Sequence, residues 1–206
     1  FSEADIANSA HHAQSVFAAD LDGDGDMDIV SASYYDDTIA WYENDGAADP
    51  TWTATDIATS ADGVYSVYAA DMDGDGDMDI LSASYNDDTI AWYENDGAAD
   101  PTWSAQDIAT SADAARSVYA ADMDGDGDMD VAATSWRLPG RVAWFENKGD
   151  SRGPWKYHLL KENWRSANQI LLVDINGDGR LDIVACAERG SNELRWWRNE
   201  GRPDQP

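Results

Sequence analysis

Three observations predict an all-β chain, a β-propeller of four four-stranded blades. An aspartate-rich stretch, Asp20-Leu-Asp-Gly-Asp-Gly-Asp-Met-Asp28, returns as Asp71–Asp79, as Asp122–Asp130 and, altered, as Asp174–Asp182. The first aspartates of these stretches stand 51, 51 and 52 residues apart, a period typical of blade-like or solenoid repeats. Within each period, short apolar runs alternate with turn signals, and helical periodicity is nowhere sustained over the length of a helix. Four such strands per repeat make one twisted blade.

The second repeat shows the elements in order. Trp52–Thr59 alternates and ends at Ser60-Ala-Asp-Gly63, and Val64–Ala70 is apolar and enters the Asp loop. Met78–Ser84 leaves the loop and ends at Tyr85-Asn-Asp-Asp88, and Thr89–Glu94 runs to Asn95-Asp-Gly97. Fixed columns accompany every repeat: Phe1, Trp52, Trp103 and Trp155 before the loop, then Trp41, Trp92, Trp144 and Trp196 after it. Asn44, Asn95, Asn147 and Asn199 follow, and then Gly46, Gly97, Gly149 and Gly201. The repeats span about 8–59, 60–110, 111–162 and 163–206 plus 1–7, in a single domain covering 1–206. The chain opens on a fourth strand, Phe1–Ala7, and stops after a third. The N-terminal strand is therefore expected to complete the last blade and close the ring without exposed edges. The same offset would also let it complete a neighbouring chain's blade, giving an eight-bladed ring shared by a homodimer. Alternatively, the four repeats belong to a larger ring. The closed monomer is the favoured arrangement.

Composition narrows the function. There are 41 acids against 13 bases, a formal charge of −28, which excludes the basic stripes that nucleic-acid binding needs. Ten tryptophans and nine tyrosines argue for a folded core rather than an acidic disordered chain. Residues 1–115 contain no Lys or Arg, and 12 of the 13 bases fall in 137–206. The single cysteine, Cys186, excludes an internal disulfide, and its apolar run marks it as a buried, inert thiol. No apolar run reaches membrane-spanning length and no signal peptide is present.

The Asp loops suit a hard cation. Ca²⁺ takes six to eight oxygens from carboxylates and carbonyls of a sharply turning loop. In the first loop Asp20, Asp22, Asp24 and Asp28 would supply side-chain oxygens, with Gly25 permitting the positive φ of the turn. The second and third loops repeat this with Asp71, Asp73, Asp75 and Asp79, and with Asp122, Asp124, Asp126 and Asp130. An EF-hand is excluded, because the twelfth positions are Ser31, Ser82, Ala133 and Ala185 rather than Glu, and the flanks are strands. The fourth loop keeps oxygen side chains at Asp174, Asn176, Asp178 and Asp182 but carries Arg180 at position seven. Position seven (Asp26, Asp77, Asp128, Arg180) is therefore expected to bind through its backbone carbonyl. The apolar eighth position (Met27, Met78, Met129, Leu181) is expected to point inward. About four Ca²⁺ ions follow, one per repeat. Carboxylates this close repel one another unless a cation lies among them.

These loops, their hairpin setting and the period resemble the FG-GAP/VCBS repeats of integrin α-chain propellers and many bacterial surface proteins. The resemblance covers essentially the whole chain. It implies an ion in the hairpin between strands one and two, on the face opposite the ligand-binding loops. Members of that family usually form seven-bladed rings, from which four repeats depart.

Recognition is expected on the opposite face, where the connections vary between repeats. Tyr34, Tyr35, Tyr85, Trp136, Arg137, Trp164 and Arg165 offer aromatic surfaces beside polar groups, which suit sugar rings or protein hot spots. An enzyme is not expected. His11, His12 and His158 fall at different repeat positions, and no nucleophile elbow is present. A glycan-active hydrolase or lyase, needing only two suitably spaced acids, stands behind the binding reading. The expectation is a calcium-stabilised extracellular or cell-surface module for adhesion or binding of a glycan or protein. The alternative is a structural spacer in a larger surface protein.

Overall fold

The computed structural model describes residues 4–201. It contains fifteen strands among these residues, in four antiparallel sheets arranged as a four-bladed β-propeller. Blade one holds β1 (Ala13–Ala19), β2 (Asp28–Ser33), β3 (Thr38–Asn44) and β4 (Trp52–Ala58). Blade two holds β5 (Val64–Ala70), β6 (Asp79–Ser84), β7 (Thr89–Asn95) and β8 (Trp103–Ala109). Blade three holds β9 (Ala115–Ala121), β10 (Asp130–Ser135), β11 (Arg141–Glu146) and β12 (Lys156–Glu162). Blade four has β13 (Ala167–Val173), β14 (Asp182–Ala187) and β15 (Glu193–Trp197). No helix among the described residues is long and apolar enough to cross a membrane.

The core lies between blades. Ile39 and Trp41 of blade one pack with Val67, Ala69 and Tyr93 of blade two. The next two junctions repeat this with Ile90 and Trp92 against Val118 and Phe145, and with Val142 against Ile170 and Ile183. Period-two alternation places successive side chains on opposite faces of a blade, so each sheet contributes to two junctions. Hydroxyls tie the inner strands together: the N–H groups of Val67, Val118 and Ile170 donate to Ser15, Ser66 and Ser117 at 3.3, 3.4 and 3.3 Å. Phe17, Tyr68 and Tyr119 pack ring to ring along the same strands, with centroids 4.7 and 4.4 Å apart.

Among the described residues, the last blade is three-stranded, with no strand paired to the outer edge of β15. Of the expected closing strand Phe1–Ala7, Phe1–Glu3 lie outside the described residues, and Ala4–Ala7 form no strand. Ile6 and Ala7 border Ala40, Tyr42 and Ala54 of blade one, much as Ile57 and Ala58 border Ala91, Tyr93 and Ala105 of blade two. The segment thus flanks the correct face without pairing to β15. Its one large apolar residue, Ile6, is exposed, whereas the equivalent Ile57 and Ile108 are half-buried in β4 and β8. Cys186 is half-buried rather than fully buried; it lies in β14 of the three-stranded last sheet.

Candidate metal centres and binding face

Each aspartate loop joins the first two strands of its blade, and backbone donors shape it. The Asp20 carboxylate accepts the N–H of Gly23 at 2.9 Å and of Gly25 at 3.0 Å. Gly25 has φ +97°, a conformation that side chains rarely adopt. Asp24 accepts the N–H of Asp26 at 2.8 Å. Asp28 is buried and accepts the N–H of Leu21 at 3.1 Å and of Asn44 at 2.8 Å, pinning the loop to β3. The Asn95 side chain donates to the Leu21 carbonyl at 2.8 Å, and that of Asn199 to Met123 at 2.6 Å. Loops are thereby linked to the following blade.

This scaffold converges positions one, three and nine. Asp20, Asp22 and Asp28 present carboxylate oxygens within 4.8 Å of one another, as do Asp71, Asp73 and Asp79, and Asp122, Asp124 and Asp130. Burial, with neighbouring carboxylates adding to it, raises Asp22 and Asp73 above the ordinary range. Burial pushes Asp79 and Asp130 up to about 7 against the lowering effect of their backbone donors. The buried Oδ1 of Asp73 has no hydrogen-bond partner. An unpaired oxygen of this kind is costly, and a cation at the convergence point would satisfy it. The all-oxygen donor set fits Ca²⁺ or another hard ion.

The remaining positions take other places. Asp75 and Asp126, like Asp24, cap the position-seven N–H, at 3.0 and 3.1 Å. At position seven, a side chain at Gly46 or Gly97 would run into the Asp26 or Asp77 carboxylate, and Asp128 faces Gly149. These side chains lie over the turn after strand three and outside the converging groups. Position eight corrects the expectation: Met27 and Met78 are exposed, while Met129 and Leu181 only flank the core. The inward anchor is position two (Leu21, Met72, Met123), next to the N–H that position nine fixes.

Loop four differs. Asp174 accepts from Gly177 and Gly179, and Asp182 from Ile175 and Asn199, as in the other loops. Yet Asn176 replaces the position-three acid, and no three-carboxylate group forms there among the described residues. Arg180 donates to Asp178 at 2.7 Å and to the Asn199 carbonyl at 3.0 Å, and Arg198 stands 3.4 Å from Asp178. Three converging carboxylate groups therefore stand where four ions were expected.

At the other end of the strands the 2→3 and 4→1 connections meet. Tyr34 contacts Tyr35, Tyr65 and Tyr85 at centroid distances of 5.3, 6.2 and 6.2 Å, and His12 stacks on Tyr35 at 4.5 Å. Tyr34 Oη donates to Asn86 at 3.3 Å. The Arg116 guanidinium lies 3.7 Å from the Tyr65 ring centre and 4.0 Å from that of Trp136, donates to Asn168 at 3.1 Å, and faces Glu188. Arg137 covers Tyr85 at 5.0 Å and pairs with Asp88 at 3.2 Å. An aromatic run with interleaved donors thus crosses blades one to three. Guanidinium groups lie over the Tyr65, Trp136 and Tyr85 rings as cation–π contacts.

The structure unites Tyr34, Tyr35, Tyr85, Trp136 and Arg137, but not Trp164 and Arg165. Trp164 is buried, packs edge-on against Trp197 and donates to Glu193 at 3.1 Å; it is a core residue of the third junction. Arg165 is exposed on blade four, outside the aromatic run, with its stem against Gly190. Tyr65, Arg116 and Asn168 were missed. Tyr65 and Arg116 occupy the β-bulge of a first strand, where two residues oppose one, and the register of β13 slips across Asn168. A bulge re-aims a side chain, and here it turns these residues toward the loops. Val64 and Val67 are both buried with two residues between them, a break in alternation that was the available signal.

Among solved structures, the chain is similar to the Vibrio cholerae biofilm matrix protein Bap1, at 21% identity and a TM-score of 0.40. The match covers 88% of this chain and 30% of Bap1, so the chain spans under a third of that protein's length. No curated protein matches. The family model described as an FG-GAP-like repeat matches residues 20–82 and 71–133, together more than half of the chain. With the repeated aspartate loops between strands one and two of each blade, that match shows that the chain belongs to the FG-GAP-like repeat family.

Proposed function

We propose that the chain is a calcium-stabilised, non-catalytic binding module of an extracellular or cell-surface protein, recognising a glycan or a protein surface with its aromatic face. Asp20, Asp22 and Asp28 and their counterparts in blades two and three would hold the ions, which supply charge compensation. Millimolar extracellular Ca²⁺ fills even weak oxygen sites, which supports a location outside the cell. The observation that carries the reading is the run from the exposed Tyr35 through the half-buried Tyr34 and Tyr85 to Trp136, with Asn86, Arg116 and Arg137 beside it. Flat rings with adjacent donors suit pyranose faces or the aromatic anchors of a protein partner.

Glycan-array and protein-capture measurements in saturating Ca²⁺ test this. Binding that falls at least tenfold in Tyr35→Ala and Trp136→Ala is expected. Absence of any ligand, or binding indifferent to both substitutions, would leave the spacer reading in its place.

A further inference from the structure

The first two aspartate loops present the same carboxylates twice. Asp20–Asp28 and Asp71–Asp79 differ only at position two, Leu21 against Met72, and both of those side chains are buried. A difference in how the two loops hold a cation must therefore come from outside them, from charges on the neighbouring strand and blade.

Those charges are opposite in sign. Beside loop one stands Glu43, whose carboxyl is raised above its usual range by burial and then by the charges of Asp22, Asp28 and Asp100. Asp100 belongs to blade two, and residues 1–115 hold no Lys or Arg to offset it. Beside loop two the equivalent glutamate is Glu94. The place of Asp100, three residues before the repeat tryptophan Trp103, is taken in blade three by Arg152, three residues before Trp155. Arg152 reaches back across the junction: its Nη2 stands 3.5 Å from Asp73 Oδ2 and pairs with Glu94. The guanidinium lines a cleft of about 370 Å³ together with Asp71, Asp73, Asp75 and Asp128. Asp73 Oδ1 is buried without a partner, so the arginine compensates one oxygen of that carboxylate and leaves the other to an ion.

We propose, on the reading of the loops as Ca²⁺ sites, that Arg152 sets the affinity of loop two. As a tethered counter-ion shared by Asp73 and Glu94, it makes loop two a weaker site than a loop one carrying the same carboxylates. An ion at loop one meets the uncompensated charges of Glu43 and Asp100, and an ion at loop two meets a guanidinium in the same cleft. A unit charge a few ångströms from a divalent ion changes its affinity by about tenfold even at the dielectric of water. Filling is therefore ordered, with loop one taking its ion at lower Ca²⁺ than loop two. Without an ion, the guanidinium links blades two and three, where the junction of blades one and two places two acids.

Calorimetric titration of the chelator-treated full chain with Ca²⁺, at low and at physiological salt, tests this. Arg152→Gln should tighten one site by about tenfold and lower the melting temperature in chelator, because it gives up the counter-ion and keeps the carboxylates. The gain should narrow as salt rises, and it should disappear when Asp73→Asn is added. Asp100→Arg, the reciprocal exchange at loop one, should weaken a different site by a similar factor. An arginine serving only the packing of the two blades would lower the melting temperature and leave every affinity unchanged. That result, or a loss of affinity in Arg152→Gln, overturns the proposal. A wild-type chain that takes up no Ca²⁺ removes the reading of the loops along with it, whereas ions bound with indifference to Arg152 remove only its role at loop two.

Discussion

Loops two and four share a backbone and differ in charge, and the difference separates what shapes these loops from what makes them need an ion. In both, the first carboxylate accepts two glycine N–H groups, and the ninth accepts the N–H of position two and of the asparagine ending strand three. Loop two then crowds Asp71, Asp73 and Asp79, leaving a buried Asp73 oxygen without a hydrogen bond. Arg152 also reaches loop two, 3.5 Å from the other Asp73 oxygen, but loop four has Asn176 in place of the third carboxylate, and two arginines stand at Asp178. The fold of the loop is thus a hydrogen-bond property, and the demand for a cation is an electrostatic one. Among the described residues, only the first three loops bring three carboxylates together.

The largest test removes the cation. Each site filled at a hundredfold excess over its Kd stabilises the fold by about 2.7 kcal/mol. Three such sites shift the melting temperature of a chain this size by roughly 15–30 °C. Calorimetry with and without chelator should show a fall of that order, and native mass spectrometry should count three ions. A count of four, or an unchanged melting curve, breaks the division between the loops.

A second test exchanges equivalent residues. Asp79→Ala and Asp182→Ala each strand two backbone N–H groups, at a cost of about 2–4 kcal/mol by the handicap of unsatisfied buried donors. Both should therefore melt earlier in chelator. Only Asp79→Ala should also lose an ion, because only its loop groups three carboxylates. Equal ion loss in the two variants would place a working site in blade four.

Much of this was legible in the sequence because a repeat states each rule several times. The period placed the strands, and the Arg180 substitution separated position seven from the converging acids. What escaped depends on the third dimension. Met27 and Leu21 are equally apolar in sequence, and the capping of the position-two N–H by Asp28 decides which is buried. Trp164 resembles Trp136 as a loop aromatic beside an arginine, yet one closes a junction and the other lies under Arg116 of its own blade. The closing strand followed from phase alone; Ala4–Ala7 form no strand, although the identical Asp-Ile-Ala runs at 56–58 and 107–109 pair in β4 and β8.

The same contrast runs through the blades at the glutamate ending strand three, and it sets opposite pH responses. Burial and the charges of Asp22 and Asp28 raise Glu43 above its usual range. Burial acts the same way on Glu146, but hydrogen bonds from Lys156 and His158, with the charge of Lys148, outweigh it and hold the carboxyl at about 2. A depressed carboxyl stabilises the fold above its unfolded pKa of about 4.5, and that contribution is lost as pH falls toward 2. The shift corresponds to at most about 3 kcal/mol, and the half-exposed lysines bring it nearer 1 in salt. Glu146→Gln should destabilise at neutral pH, with the gap to wild type closing between pH 4.5 and 2. Glu43→Gln should instead stabilise slightly in chelator at neutral pH. Matching signs for the two substitutions would refute the electrostatic division of the molecule.

The smallest effect is the most specific. If charge alone silences loop four, Asn176→Asp with Arg180→Asp should rebuild the pattern of the first three loops. The Gly177 and Gly179 donors that orient Asp174 are already in place, and Asp182 is already buried and capped. Arg198 would still neutralise part of the site from 3.4 Å, so the added stability should stay near 1 kcal/mol, well below that of a native site. The ion count should nevertheless rise from three to four. A count that stays at three would mean that backbone geometry, and not charge, distinguishes the fourth loop.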